Sequence, residues 1–260
     1  MTYKFGTNFG RIGTARSANL QAYYKFDGDI DDSSGNNLDL TVAAGAMQYC
    51  YIDNLQMARF DGATSVFRSS GGSANTDGVN DASLTITGAM TFHLLLAPEV
   101  VTSGTGASSD WVFNFTGPGG DDEEDNVLYS LAIDSSKWSY FVESGSGDNY
   151  WVYFDGPIPY SVTRPTTTPV LMTVTRDASG SLTIYTNGRV FPPGTITTEQ
   201  TAGGPSPTGG TDGFLVVGAA PYTGSQPRYF TGAMAELQIL NIELTAAQVL
   251  EDARKVMPWL

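Results

Sequence analysis

Phe214-Leu-Val-Val-Gly-Ala219, then Tyr229-Phe-Thr-Gly-Ala-Met-Ala-Glu-Leu-Gln-Ile-Leu-Asn241, then Leu244-Thr-Ala-Ala-Gln-Val-Leu250 are the three blocks that decide the fold. The first reads as a short buried strand. The second enters at Gly232 and alternates as a strand whose side chains take opposite faces. The third starts as a helix: Thr245 is the expected N-cap and Gln248 completes a capping box, with Leu244 and Val249 at the staple positions. A strand, a loop, a strand and a short docked helix close an all-β sandwich.

Working outward, the same grammar recurs. Val170–Arg176 turns at Asp177-Ala-Ser-Gly180 into Ser181–Thr186, and Asn187-Gly188 then favours a tight primed turn because both residues tolerate positive φ. Lys137–Glu143 and Tyr150–Phe154 flank Ser-Gly-Ser-Gly-Asp-Asn as a hairpin. Leu84–Ala97 reads as a strand with Met90, Phe92, Leu94 and Leu96 on one face and Thr91, His93 and Leu95 on the other. Leu20–Asp27, Leu38–Val42 and Ala58–Gly62 are shorter strands. The 30 glycines and 13 prolines suit strands joined by turns, and 260 residues suit one sandwich.

Residues 1–18 lack periodicity and carry Lys4, Arg11 and Arg16 but no acid. They read as an extended arm before a sandwich at 19–260. Tyr3, Phe5, Phe9 and Ile12, with Arg11 and Arg16, make it a docking arm for a neighbouring protein. A homo-oligomer is compatible with that arm.

The net charge of −14 argues against nucleic acid, which needs a basic footprint. Cys50 is the only cysteine, so no intrachain disulfide forms. The N-terminus shows no signal-peptide core, and no apolar run is long enough to span a bilayer.

Four blocks in this order resemble the laminin G-like branch of the concanavalin A-like lectin/glucanase superfamily: Ala22–Gly28 with Asp31–Gly35, Ala58–Gly62, Met172–Gly188, and Phe230–Asn241 with Leu244–Val249. The resemblance implies a jelly-roll sandwich of two antiparallel sheets. It departs at Leu95, where the family usually has Trp, and at Ala235 or Glu236, where it usually has Asp.

Glucanases of this superfamily set acids at alternating strand positions. The nearest run here, Glu123-Glu-Asp125, lies in a Gly-rich loop without the next Glu. His93, the single histidine, sits in an apolar strand and is expected to be a packed, hydrogen-bonded side chain. Two acidic loops offer calcium ligands by composition: Asp27, Asp29, Asp31 and Asp32; and Asp121, Asp122 and Asp125. Solvated charge is the competing reading for both. Sugars stack on aromatic faces and bond to Asp and Asn, which points to Trp138, Tyr140, Asp148, Asn149, Tyr150 and Trp151 of the hairpin, and to Tyr222. Alternation sends about half of these aromatics into the core.

The expected function is a non-catalytic binding or adhesion module, displayed on a virion as a bacteriophage decoration or tail component, with cell-surface glycans as ligands. The alternatives are a polysaccharide-cleaving hydrolase or lyase on the same fold and an extracellular bacterial adhesin.

Overall fold

The computed structural model describes residues 14–52, 55–69, 84–99, 109–116, 127–134, 137–144, 148–154, 169–191, 196–200, 214–219 and 229–257. In chain order, a 3₁₀ helix (Thr14–Asn19) precedes β1 (Leu20–Tyr24), β2 (Leu40–Ala44), β3 (Gln48–Ile52), β4 (Leu55–Asp61), β5 (Val66–Ser69), β6 (Met90–Pro98), β7 (Ser109–Thr116) and β8 (Val127–Asp134). There follow β9 (Lys137–Ser144), β10 (Asp148–Phe154), β11 (Val170–Arg176), β12 (Leu182–Thr186), β13 (Arg189–Val190), β14 (Ile196–Gln200), β15 (Phe214–Val217), β16 (Thr231–Leu240) and α1 (Ala246–Val256).

The strands form two antiparallel sheets. The first runs β13-β12-β11-β6-β16-β4-β3, with β1 also paired to β16. The second runs β14-β10-β9-β8-β7-β15-β5-β2. A bulge between Met234 and Glu236 lets β16 share one side between β4 and β1. Alternate residues of the two inner faces make the core. Phe60, Phe92, Leu94, Met172, Ile184, Met234 and Ile239 from the first sheet meet Phe67, Phe113, Phe115, Tyr129, Leu131 and Leu215 from the second.

Arg176 lies inside this core, fully buried. Its guanidinium donates to the carbonyls of Ile86 and Gly88 and to the Tyr140 hydroxyl at 3.2 Å. Those carbonyls are thereby used before β6 begins. The strand expected from Leu84 therefore starts only at Met90, although Leu84 and Ile86 are buried.

α1 forms as its sequence dictates. The Gln248 N–H donates to Thr245 Oγ1, and Gln248 Oε1 accepts from the Thr245 N–H at 2.8 Å. Such a cap contributes about 1 kcal/mol. The helix lays Ala253, Val256 and Met257 on Leu95, Leu171, Ala233 and Ala235, on the outer face of the first sheet. Gly188, at φ +75° in the expected primed turn, lies where a Cβ would stand 2.6 Å from the Ala253 Cβ. The turn and the helix seat thus both call for glycine.

Thr14–Asn19 corrects the expectation of an extended arm reaching Ala18. This segment is helical, and Arg16 ion-pairs with Asp252 of α1 and lies 3.9 Å from Glu251. Arg16 is thus engaged by the helix of its own chain. Tyr3, Phe5, Phe9, Arg11 and Ile12 lie outside the described residues.

Candidate functional site

The two outer faces of the sandwich have different chemistry. On the first sheet a polar row crosses five strands in register: Tyr23, Gln238, His93, Thr173 and Tyr185. α1 covers its centre. His93 Nδ1 is 2.7 Å from Thr173 Oγ1, and Nε2 is 3.6 Å from Asp252 Oδ2. A hydroxyl, an imidazole and a carboxylate in line look like the parts of a catalytic triad. All three side chains are fully buried, however, so no substrate reaches them. Burial pushes the imidazole pKa down to about 4; Asp252 opposes the shift and Arg16 adds to it. A neutral, packed, hydrogen-bonded histidine is what its apolar strand led one to expect.

Glu236 belongs to the same face. It is buried, and its Oε1 accepts from the Tyr23 hydroxyl at 2.8 Å. Burial raises its pKa to about 7, against the lowering effects of Tyr23 and Lys25, while Asp27 adds to the rise.

The acidic loop after β1 is a structural knot rather than a cation cage. Asp32 Oδ1 accepts from the N–H groups of Tyr23 and Ser34, and Oδ2 from the Leu38 N–H and the Ser34 hydroxyl. Asp29 Oδ1 accepts from the Asp31 N–H at 3.3 Å. Asp27 does not join them: among the described residues no three His, Cys, Asp or Glu side chains gather as a metal site. The backbone donors that the loop needs to satisfy take up the Asp32 carboxylate. Asp121, Asp122 and Asp125 lie outside the described residues.

The second sheet carries the expected hairpin, β9 and β10, with Asp148 opposite Ser144, Asn149 opposite Glu143, Tyr150 opposite Val142, Trp151 opposite Phe141, and Phe154 opposite Trp138. Tyr140, read as a glycan contact, is corrected. It is fully buried in the core with Val152, stacks on Phe92 at 6.1 Å, and receives Arg176. Its alternation partner positions Trp138 and Tyr150 share the core-facing set, whereas positions 149 and 151 take the opposite, outer set. Tyr222 lies outside the described residues.

Following position 151 across the outer face gives a row spanning all eight strands: Glu199, Trp151, Phe141, Ser130, Asn114, Val216, Arg68 and Thr41. A second row holds Thr197, Tyr153, Ser139, Ala132 and Trp111. Neighbouring positions in a row lie about 4.8 Å apart, so the two rows form a platform roughly the width of a few sugar rings. A bulge between Trp111 and Phe113 puts Trp111 at an outer-face position, where it is nonetheless buried, while Val112 and Phe113 stay in the core. Asn114, at the centre of the row, is fully buried, and neither its amide nitrogen nor its oxygen has a hydrogen-bond partner. Strand alternation showed the aromatics in the sequence; the row itself, made of strands far apart in the chain, was not visible there. Among the described residues no two acids are register neighbours on this face.

The family profile described as "Concanavalin A-like lectin/glucanases superfamily" matches residues 68–250. No curated protein sequence matches the chain. Among solved structures, it is similar to the binding domain of botulinum neurotoxin DC in complex with rat synaptotagmin II, at 12% identity and TM-score 0.63, over 93% of this chain and 52% of that one. The same domain in complex with SialylT gives 11% identity and TM-score 0.62, over 93% and 52%. Domain 4 of AbnA, a GH43 extracellular arabinanase from Geobacillus stearothermophilus, in complex with arabinotriose, gives 20% identity and TM-score 0.53, over 90% of this chain and 98% of that one. The chain spans about half the length of the toxin domains. With two packed antiparallel sheets, the short capped helix and a profile match over most of its length, the chain belongs to the concanavalin A-like lectin/glucanase superfamily.

Proposed function

We propose that this chain is a non-catalytic glycan-binding module whose ligand lies on the outer face of the second sheet. The carrying observation is the row itself. Aromatic positions 141 and 151 stand beside Ser130 and the unpartnered Asn114 amide, on a face that no described helix covers. Aromatic faces give sugars an apolar platform. Asp148 and Asn149, at the hairpin's end, extend the polar edge. Complexes of similar folds with arabinotriose and with SialylT support a sugar as ligand, and the complex with synaptotagmin supports a protein receptor as the second reading.

Hydrolysis is the weaker reading. A glycosidase needs two carboxyls about 5–10 Å apart across the bond it cleaves. Asp134, Glu143 and Glu199 are the acids at outer-face positions of the described strands, and none neighbours another in register.

Display on a virion surface through residues 1–13, as a bacteriophage decoration or tail component, fits the basic, aromatic composition of that segment. Calorimetric titration with a panel of neutral and sialylated oligosaccharides tests the ligand. Binding to at least one, lost in Trp151→Ala with an unchanged melting temperature, is the expected result. No binding to any member, or binding indifferent to Trp151, rejects the site.

A further inference from the structure

A sheet edge that is neither short, charged nor bulged invites another strand. The four ends of the two sheets differ in this respect. β13 has two residues, one of them Arg189; β14 contains Glu199; β2 is bulged between Val42 and Ala44. β3 has none of these devices. It reads Gln-Tyr-Cys-Tyr-Ile, has no charge and no proline, and keeps unbroken register with β4 on its other side. β2 and β3 are consecutive edge strands of opposite sheets, so together they bound the open side of the sandwich. The link between them is fixed: Gly45 has φ +75°, and a Cβ there would lie 2.7 Å from the Thr64 carbonyl oxygen.

This side is also apolar and exposed. Of the large hydrophobic side chains more than a third exposed among the described residues, Val42 (42%), Met47 (37%) and Tyr51 (70%) belong to it. The Tyr49 hydroxyl lies 2.9 Å from Met47 Sδ and packs at the core's rim. Asp27, Asp29 and Asp31, all exposed, lie close enough to act on the Tyr49 hydroxyl electrostatically. The lip is thus an open strand edge with an apolar surface and an acidic border.

We propose that β3 receives, as an added strand, residues 1–13 of a second copy of this chain. That segment complements the lip: Thr2-Tyr-Lys-Phe5 alternates polar and apolar, and Lys4 and Arg11 occur with no acid before Asp27. Main-chain bonds along β3 supply affinity, Tyr3 and Phe5 cover Tyr51 and Val42, and the cations meet the aspartates. Among the described residues no strand pairs with the outer side of β3, and the proposal assigns its complement to another molecule. This names the partner for the docking role proposed above for residues 1–13, and it is independent of the glycan face.

The test uses the full chain in sedimentation velocity from roughly 1 to 100 μM, the range in which modest interfaces dissociate. Concentration-dependent association is expected. Asp29→Lys with Asp31→Lys should weaken it about tenfold, as should Lys4→Glu with Arg11→Glu. Mixing the two variants should restore association, because one chain's reversed arm then meets the other's reversed lip. High salt should weaken the wild type. A monomer throughout, which includes docking of the arm on its own chain, overturns the proposal; so does association that ignores both charge reversals. Oligosaccharide titration of the same variants reads the glycan face separately: association lost with sugar binding kept supports both proposals, and sugar binding absent with association intact leaves only this one standing.

Discussion

The outer face of the first sheet and the outer face of the second are built to opposite ends. The first is closed. α1 seats Ala253 and Val256 on it, and Arg16 reaches over from the preceding helix to Asp252. Its polar residues answer one another in part: His93 bonds Thr173 and Tyr23 bonds Glu236, while His93 Nε2, Glu236 Oε2 and Gln238 Nε2 are buried without a hydrogen-bond partner. Over the second face no helix lies among the described residues; its positions 141 and 151 stand in register with Ser130 and Asn114, which are themselves buried. A buried polar group that the fold does not satisfy is costly. The difference teaches that a look-alike triad can belong to a sealed structural face, which leaves the second sheet's outer face as the proposed binding face.

The sharpest way to break the comparison is to unseal the closed face. Asp252 is fully buried and Arg16 nearly so, with side-chain exposures of 0% and 11%. Asp252→Ala leaves the guanidinium without its counter-charge and should cost about 3–5 kcal/mol. The expected readout is a large fall in the denaturant midpoint, with oligosaccharide affinity kept by the fraction still folded. A folded variant that has lost sugar binding would move the functional site to the first sheet.

A smaller effect sharpens the same contrast through pH. Glu236 has its pKa raised from 4.5 to about 7. It binds its proton more tightly when folded, so its contribution is full below pH 4.5 and is lost as pH rises to 7. His93 is lowered from 6.5 to about 4, so its contribution is full above pH 6.5 and is lost as pH falls to 4. Between pH 4.5 and 6.5 the two slopes oppose, which predicts a plateau of stability falling away on both sides. Glu236→Gln should flatten the alkaline fall and His93→Gln the acid one, in melts from pH 3.5 to 8. A profile untouched by either change would show that these groups titrate as they do in the unfolded chain.

Much of the first face was legible in the sequence. Capping chemistry is local, so Thr245 and Gln248 announced α1. Asn187-Gly188 announced its turn, and the alternation through Met90–Leu96 placed both faces of β6. The Arg16 ion pair was not legible because its partner, Asp252, is 236 residues away. β3 escaped notice since it is a half-exposed edge whose alternation between core and solvent is weak. The second face was legible only as a hairpin. Trp151 could be named, but its alignment with Ser130 and Asn114 depends on pairings among four strands and on the bulge at Trp111. Tyr140 was misassigned because alternation tells which residues share a face but not which face turns inward; its pairing with the core residues Leu131 and Val152 decides that.

Phe141→Ala with Trp151→Ala tests the central claim most directly, read by thermal melting and oligosaccharide titration on the same samples. If the sugar stacks on positions 141 and 151, removing both rings should abolish binding in a variant that still melts cooperatively. A variant that binds sugar as before would contradict the account.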